Sequence, residues 1–541
     1  MALSPAVAST RLTVSDPARI YIQARAAAMS GDHARAAQLL AALSQTEPAQ
    51  DEIARKALGE AIGAGQMGLA LKLTRNVPAS TLSAEARLLL AAEEIRRGHP
   101  ERALSWLSSG RQNGADLSFL APLVTAWAAA DRGNANQAIA TIDSLAPTSL
   151  LAPLASEERA LILIKARRTA EAETSARQAV GRAGAREQRL RLAFADGFLA
   201  AGDRQRALMI IDGMGAGETA ARQRIMAGKS SGQAIDSLPE AFGEVLMAFA
   251  ADLARMQRSA APIGLVQVAH YINPRSSSTT SLLALLLAQQ DRSDEALALL
   301  RAVPANDALI AQVRDVQVRI LTDDKKLNEA YQVAATAAAA PGAEAIDFSR
   351  LGDVLQAMKR PAEAADAYGR AVAIAQARNL RPDIWSFLLL RASALEDANR
   401  WPEAKQVLQQ ALALQPEQPL LLNFMGYGEL ERGENVESAE AMIRKASDLA
   451  PDDASITDSL GWAQFKRGKI GEAITTLQKA AEKDPDQAEI QEHLGDALYK
   501  SGRRYEARFA WNAALVTAED QIAARVKAKL SSGLTSANSA P

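Results

Sequence analysis

The chain has 541 residues, with 61 basic against 63 acidic side chains, and hydrophobic residues make up 48% of it although aromatics reach only 4%. The balanced charge lacks the basic excess by which a duplex-binding domain replaces counterions, so nucleic acid is not an expected partner. Alanine in place of aromatics favours a helical array over a sheet protein or a large-cored enzyme. With no cysteine, disulfides, thiol nucleophiles, iron–sulfur clusters and thiolate zinc sites are excluded.

Residues 1–16 are expected to be either a disordered lead or the remnant of an export leader. Pro5-Ala6-Val7-Ala8 is like the small-residue tail before a signal cleavage site, but no basic start and apolar stretch precede it. The longest charge-free stretches, such as Leu117–Ala130 and Ser259–Pro274, fall short of the roughly 18 apolar residues of a transmembrane helix.

From residue 17 onward one alanine recurs. Ala36, Ala70, Ala103, Ala138, Ala172 and Ala207 are 33 to 35 residues apart. A gap of 55 then ends on Pro262, where an alanine is expected. The series resumes at Ala296 and runs through Ala330, Ala364, Ala404, Ala439 and Ala473 to Ala507, in steps of 34 or 35 with one step of 40. Other landmarks keep step. Four residues after the anchor comes a large apolar residue, such as Leu107, Ile142, Ile443, Leu477 or Trp511. Five before it a glycine often ends the preceding helix, as at Gly31, Gly98, Gly202, Gly468 and Gly502. Twelve after it a proline stops the next helix at Pro48, Pro274, Pro416, Pro451 and Pro485. Each repeat therefore reads as two antiparallel helices, the anchor alanine lying where they touch. One pair cannot bury its apolar face, so stacked neighbours must complete the core.

This periodicity resembles the tetratricopeptide repeat over about residues 17–521. The resemblance implies an all-α solenoid, a right-handed superhelix of antiparallel helix pairs, with about fourteen repeats. The expected organisation is an N-terminal repeat segment 17–221 (about six repeats), an irregular junction 222–242, a C-terminal segment 243–518 (about eight repeats), a capping helix 519–532 and a disordered tail 533–541. The glycine cluster Gly213 to Gly217 and the broken period motivate the junction. The 40-residue step implies a longer connection around Arg378–Pro382, and a one-residue insertion is implied near Glu434–Glu437. In the cap, Ile522, Val526 and Leu530 share one face, with Arg525, Lys527 and Lys529 expected elsewhere.

Catalytic chemistry is not evident. His33, His99, His270 and His493 are dispersed and form no metal-binding pair, and Gly213-x-Gly215-x-Gly217 follows no strand and lacks the Lys-Ser/Thr of a phosphate loop. No cofactor or metal is expected, and the chain is expected not to be an enzyme. In the tetratricopeptide repeat the first helix of each pair lines a concave face. By repeat phase that face carries Asn423 and Tyr427, then Asp458, Trp462, Phe465 and Lys466, then Glu492, Asp496, Tyr499 and Lys500. Exposed aromatics among mixed charges suit a protein or peptide partner. The competing expectation is that Trp462 and Phe465 plug the seam between repeats.

At a finer level, Leu421-Leu422-Asn423-Phe424-Met425-Gly426-Tyr427, Asp458-Ser459-Leu460-Gly461-Trp462 and His493-Leu494-Gly495-Asp496 resemble a proteobacterial group of envelope tetratricopeptide proteins. That group includes lipoprotein adaptors of C-terminal processing proteases that act on cell-wall hydrolases. The resemblance implies a scaffold or adaptor whose partner is such a protease or a cell-wall enzyme, in the periplasm or cell envelope if a leader is removed. The lipobox cysteine of those lipoproteins is missing here, so membrane attachment does not carry over. A structural component of an envelope secretion or polysaccharide-export assembly, and a regulatory subunit of a cytoplasmic enzyme, remain the other expectations.

Overall fold

The computed structural model describes residues 17–46, 51–108, 116–215, 217–255, 263–378 and 381–540. The expected lead 1–16, the irregular anchor Pro262 and the last residue, Pro541, lie outside them. Among the described residues the secondary structure consists of thirty α-helices and five short 3-10 turns. Most of the helices pack as antiparallel pairs, and no helix among the described residues is long and apolar enough to cross a membrane.

The spacing of the sequence has a direct steric cause. All thirteen anchor alanines, from Ala36 to Ala507, are 0% exposed. A larger side chain there would force the paired helices apart. The large residue four positions later leans on the first helix of its own pair, and the glycine of Leu460-Gly461 or Leu494-Gly495 makes room for it. A Cβ on Gly461 would stand 2.6 Å from Leu477, and one on Gly495 would stand 2.3 Å from Trp511.

The turn between paired helices is equally regular. At Gly468 the backbone is left-handed (φ 76°), and the next amide, of Lys469, reaches back to the Gln464 carbonyl at 2.9 Å. The same position is left-handed at Arg167, Asp291, Lys325, Lys359 and Asn399 (φ 57–59°). The turn geometry is thus imposed by the helix pair, with or without glycine.

Contacts divide the chain into two compact units, Met1–Gly342 and Ala343–Pro541. The division does not fall in the expected junction 222–242. There, the helices Glu218–Met226 and Leu238–Arg255 flank an irregular stretch that is tied down rather than loose. Asp196 accepts hydrogen bonds from the Ser231 amide (2.7 Å), the Ser231 hydroxyl (2.7 Å) and the Gln233 amide (2.8 Å), and Arg189 donates to the Gln233 carbonyl.

The period breaks in the first unit because the chain turns back on itself. Leu238–Arg255 packs on Ala84–Arg96 and Ala121–Asp131, and Ile263–Ile272 packs on Asp51–Gly63 and Ala84–Arg96. Tyr271 donates to Glu93 (2.7 Å), and Arg292 donates to the Gly63 carbonyl (3.0 Å). Phe242, Val245, Leu246 and Met247 are buried in the process, each such side chain contributing about 1.5–3 kcal/mol. One continuous apolar core runs from Ala24 to Leu309. The first helices of the second to fourth repeats are therefore partly covered by helices of their own unit.

The second unit is a plain stack of five helix pairs: Ala345–Ala357 with Pro361–Ala377, Arg381–Asp397 with Trp401–Leu414, Pro419–Glu431 with Val436–Leu449, Ala454–Lys466 with Ile470–Lys483, and Ala488–Lys500 with Arg504–Thr517. The 40-residue step is absorbed mainly by longer helices, Pro361–Ala377 and Arg381–Asp397 having 17 residues each. Residues 379–380 of the expected long connection lie outside the described residues. The expected insertion is present: a turn from Arg432 to Asn435 carries two left-handed residues, Gly433 and Asn435.

The capping helix Asp520–Ser532 stands as a sixth first helix would, with Arg525 and Lys529 each 33 residues after Glu492 and Asp496. This placement corrects the expectation that Lys529 lies off the packing face. It is 0% exposed and donates to Glu492 and Asp496, both at 2.7 Å. The tail also differs from expectation. Residues 533–540 turn back onto the last repeat, and the Ala540 amide donates to Asp496 at 3.2 Å.

Candidate protein-binding groove

In the second unit the first helices lie side by side, so residues 34 or 35 apart form rows across them. One row runs Leu389, Asn423, Asp458, Glu492; another runs Ser393, Tyr427, Trp462, Asp496. The rows are not uniformly open.

Toward the C-terminal end they are covered. Trp462 is 0% exposed, a correction to its expected place on the groove surface. The His493 ring of the next repeat stacks on it at 4.1 Å and 10°, and Phe465 stacks at 4.7 Å and 12°. Trp462 and half-buried Phe465 are seam residues. Glu492 and Asp496 are also buried and not on the surface. Arg525 and Lys529 hold Glu492 ionised: burial alone would raise its pKa, and the two cations lower it. Burial dominates at Asp496 and raises its pKa, against the pull of Lys529. Tyr499 is half-buried, its ring 5.3 Å from Trp511. Lys466 and Lys500 are exposed, the Lys466 ammonium lying 5.4 Å from the Trp462 ring centre.

Of the ten expected residues, Asn423, Tyr427 and Asp458 line an open cavity of about 450 Å³. Its walls come from four first helices. Leu389, Leu390 and Ser393 stand on Arg381–Asp397; Leu420 and Phe424 on Pro419–Glu431; Ser455 and Ser459 on Ala454–Lys466; and Glu489 on Ala488–Lys500. Those eight were missed, although the rows contained them: Leu389 lies one step before Asn423, and Leu420, Ser455 and Glu489 form a row of their own.

The cavity combines exposed apolar side chains, Leu390 (36%) and Leu420 (47%), with underused polar atoms. Asp458 is 5% exposed. Its Oδ2 meets His493 Nδ1 at 2.8 Å, while its Oδ1 and the Asn423 Oδ1 are buried without a hydrogen-bond partner. At His493, burial opposes the charge but is outweighed by Asp458 and then Glu489, so its pKa is raised. Glu489 is pushed up by burial, and Asp458, Glu492 and Glu431 add repulsion. Tyr427 is pushed up by burial and by Glu431, Glu489 and Asp458.

The first unit holds a different opening, a cavity of about 1070 Å³ whose lining includes eight leucines together with Phe119 and Phe249.

Comparison with known proteins agrees with this architecture for the second unit. The family model described as Tetratricopeptide repeat matches residues 349–419 and 389–454, and a second, TPR repeat, matches 461–502. Residues 349–454 and 461–502 therefore carry tetratricopeptide repeats. A TPR repeat-containing protein of Pseudomonas aeruginosa is 29% identical over 170 residues, spanning 31% of this chain and 28% of that protein. Among solved structures, the Cut9–Hcn1 assembly of APC/C contains a chain that is 14% identical, with coverage of 96% and 97% and a TM-score of 0.38. YrrB, a TPR protein with an unusual peptide-binding site, is 17% identical, covering 34% of this chain and 92% of that one (TM-score 0.26). A thermophilic TPR protein of Thermus thermophilus is 21% identical, covering 34% and 98% (TM-score 0.30).

Proposed function

We propose that the chain is a non-catalytic protein-interaction scaffold whose second unit holds an extended segment of a partner protein across its first helices. The observation that carries this reading is the cavity at Asn423, Tyr427 and Asp458. It joins exposed leucines, which supply contact area, to buried acceptors that lack donors, which fix register. The test is affinity capture from the native cell by the wild-type protein and by a Leu390→Asp, Leu420→Asp variant. Both residues are exposed, so the fold should survive. The variant is expected to lose the main partner, and a peptide from that partner should compete with capture by the wild type. If the folded variant retains every partner, the groove is not the site.

The finer reading, supported only by the motif resemblance of residues 385–515, places the protein in the cell envelope as an adaptor of a C-terminal processing protease or cell-wall enzyme. Under that reading the captured partner is a soluble envelope enzyme. Under the competing one, a structural component of a secretion or export assembly, membrane proteins co-purify.

A further inference from the structure

We infer that the cavity beside Asp458 receives a cationic side chain, arginine or lysine, from the bound segment; this rests on the groove reading above. Asp458 Oδ1 and Asn423 Oδ1 are both acceptors, both buried and both without a donor, and both residues line the cavity. A buried acceptor left unpaired has lost its hydration with nothing in return, so the cavity is built to be completed by N–H or O–H donors.

Charge selects among the donors. Asp458 and Glu489 are part of the lining, and Glu431 lies close enough to both Tyr427 and Glu489 to raise their pKa values. His493 opposes this negative field, but its Nδ1 is already bonded to Asp458. Glu492, the next carboxylate, is neutralised by Arg525 and Lys529. The net field at the opening therefore favours a cation over a neutral amide, and it repels a carboxylate or phosphate. The apolar part of the lining fits the same ligand. Leu390, Leu420 and Phe424 offer a surface for the methylene stem of arginine or lysine while the charged head reaches the acceptors. A guanidinium, with five donors in a planar fork, can serve Asn423 and Asp458 together.

The test uses the full-length protein and a phage-displayed random decapeptide library as probe. The selected peptides are expected to share one basic position. Changing that position to alanine should weaken binding to the wild type by roughly ten-fold or more, the scale of a hydrogen bond to a charged group, and should cost much less on Glu489→Gln. Asp458→Asn should behave in the same way if it folds. Glu489 is only half-buried and carries the test if Asp458→Asn does not fold, since Asp458 also holds His493. Peptides that bind with no basic position, or with one insensitive to Glu489→Gln, overturn the inference. The groove reading then survives provided that Leu390→Asp still abolishes binding. If no peptide is retained, or retention ignores Leu390→Asp, the groove reading falls and this inference falls with it.

Discussion

Trp462 shows how much a residue's role depends on its neighbours. Its row partner Tyr427 is half-buried at the cavity, yet Trp462 lies between Phe465 and His493 and is fully buried. Truncating such a side chain removes its transfer free energy and leaves a void, together worth about 3–5 kcal/mol. Trp462→Ala is therefore expected to lower the urea midpoint of the second unit strongly, and any loss of partner binding would follow from unfolding. A variant with the wild-type melting curve would place this side chain at the surface. Asn423, Tyr427 and Asp458 were legible in the sequence because repeat phase alone sets their direction. Trp462, Glu492 and Asp496 share that phase, but phase does not say what the next element lays over them.

Between elements, polar groups fasten repeats that apolar packing aligns. Glu440, on the second helix Val436–Leu449, accepts from Arg444 of its own helix (2.7 Å) and from Arg467 (2.7 Å) and Lys469 (2.8 Å) of the next repeat. Burial works against its charge, but Lys469, Arg444 and Arg467 outweigh it and hold its pKa at about 2 instead of 4.5. A lowered carboxylate pKa means that the folded state favours the ionised form. The stabilisation is complete above the unfolded value and is lost as pH falls through the folded one. Glu440→Gln should therefore melt at lower temperature than the wild type at pH 7. The gap should narrow as pH falls from about 4.5 toward about 2. A gap that stays constant across that window would show that the ion cluster contributes nothing. The cap uses the same device in a buried form, with Lys529 between Glu492 and Asp496. Removing one member of such a cluster leaves uncompensated charge and is far costlier than replacing the whole set by apolar groups.

For the whole molecule, the two units differ in what they leave open. The first lays its own helices over part of its first helices and keeps a cavity lined largely by apolar side chains, whereas the cavity of the second joins leucines to buried polar acceptors. The division at Gly342 and the anchoring of Ser231 and Gln233 to Asp196 predict an order of cleavage. A non-specific protease should cut the connection Ala339–Glu344, where Pro341 and Gly342 are exposed, before it cuts residues 227–237. Segments with few packed contacts open locally, and tied ones do not. Earlier cleavage at 227–237 would restore the junction expected from the glycine cluster.

The sequence by itself determined the helix pair, its period and the phase of each face. These depend on interactions inside one pair: the size of the anchor alanine, the glycine that admits Leu477 or Trp511, and the left-handed turn. The tertiary structure alone decided which parts of those faces are free. Covering groups come from elsewhere in the chain: His493 onto Trp462, Lys529 onto Glu492 and Asp496, and Leu238–Arg255 onto Ala84–Arg96. A periodic pattern repeats every local requirement but does not encode where the chain folds back on itself. For that reason the fold could be read from spacing, and the open cavity only from packing.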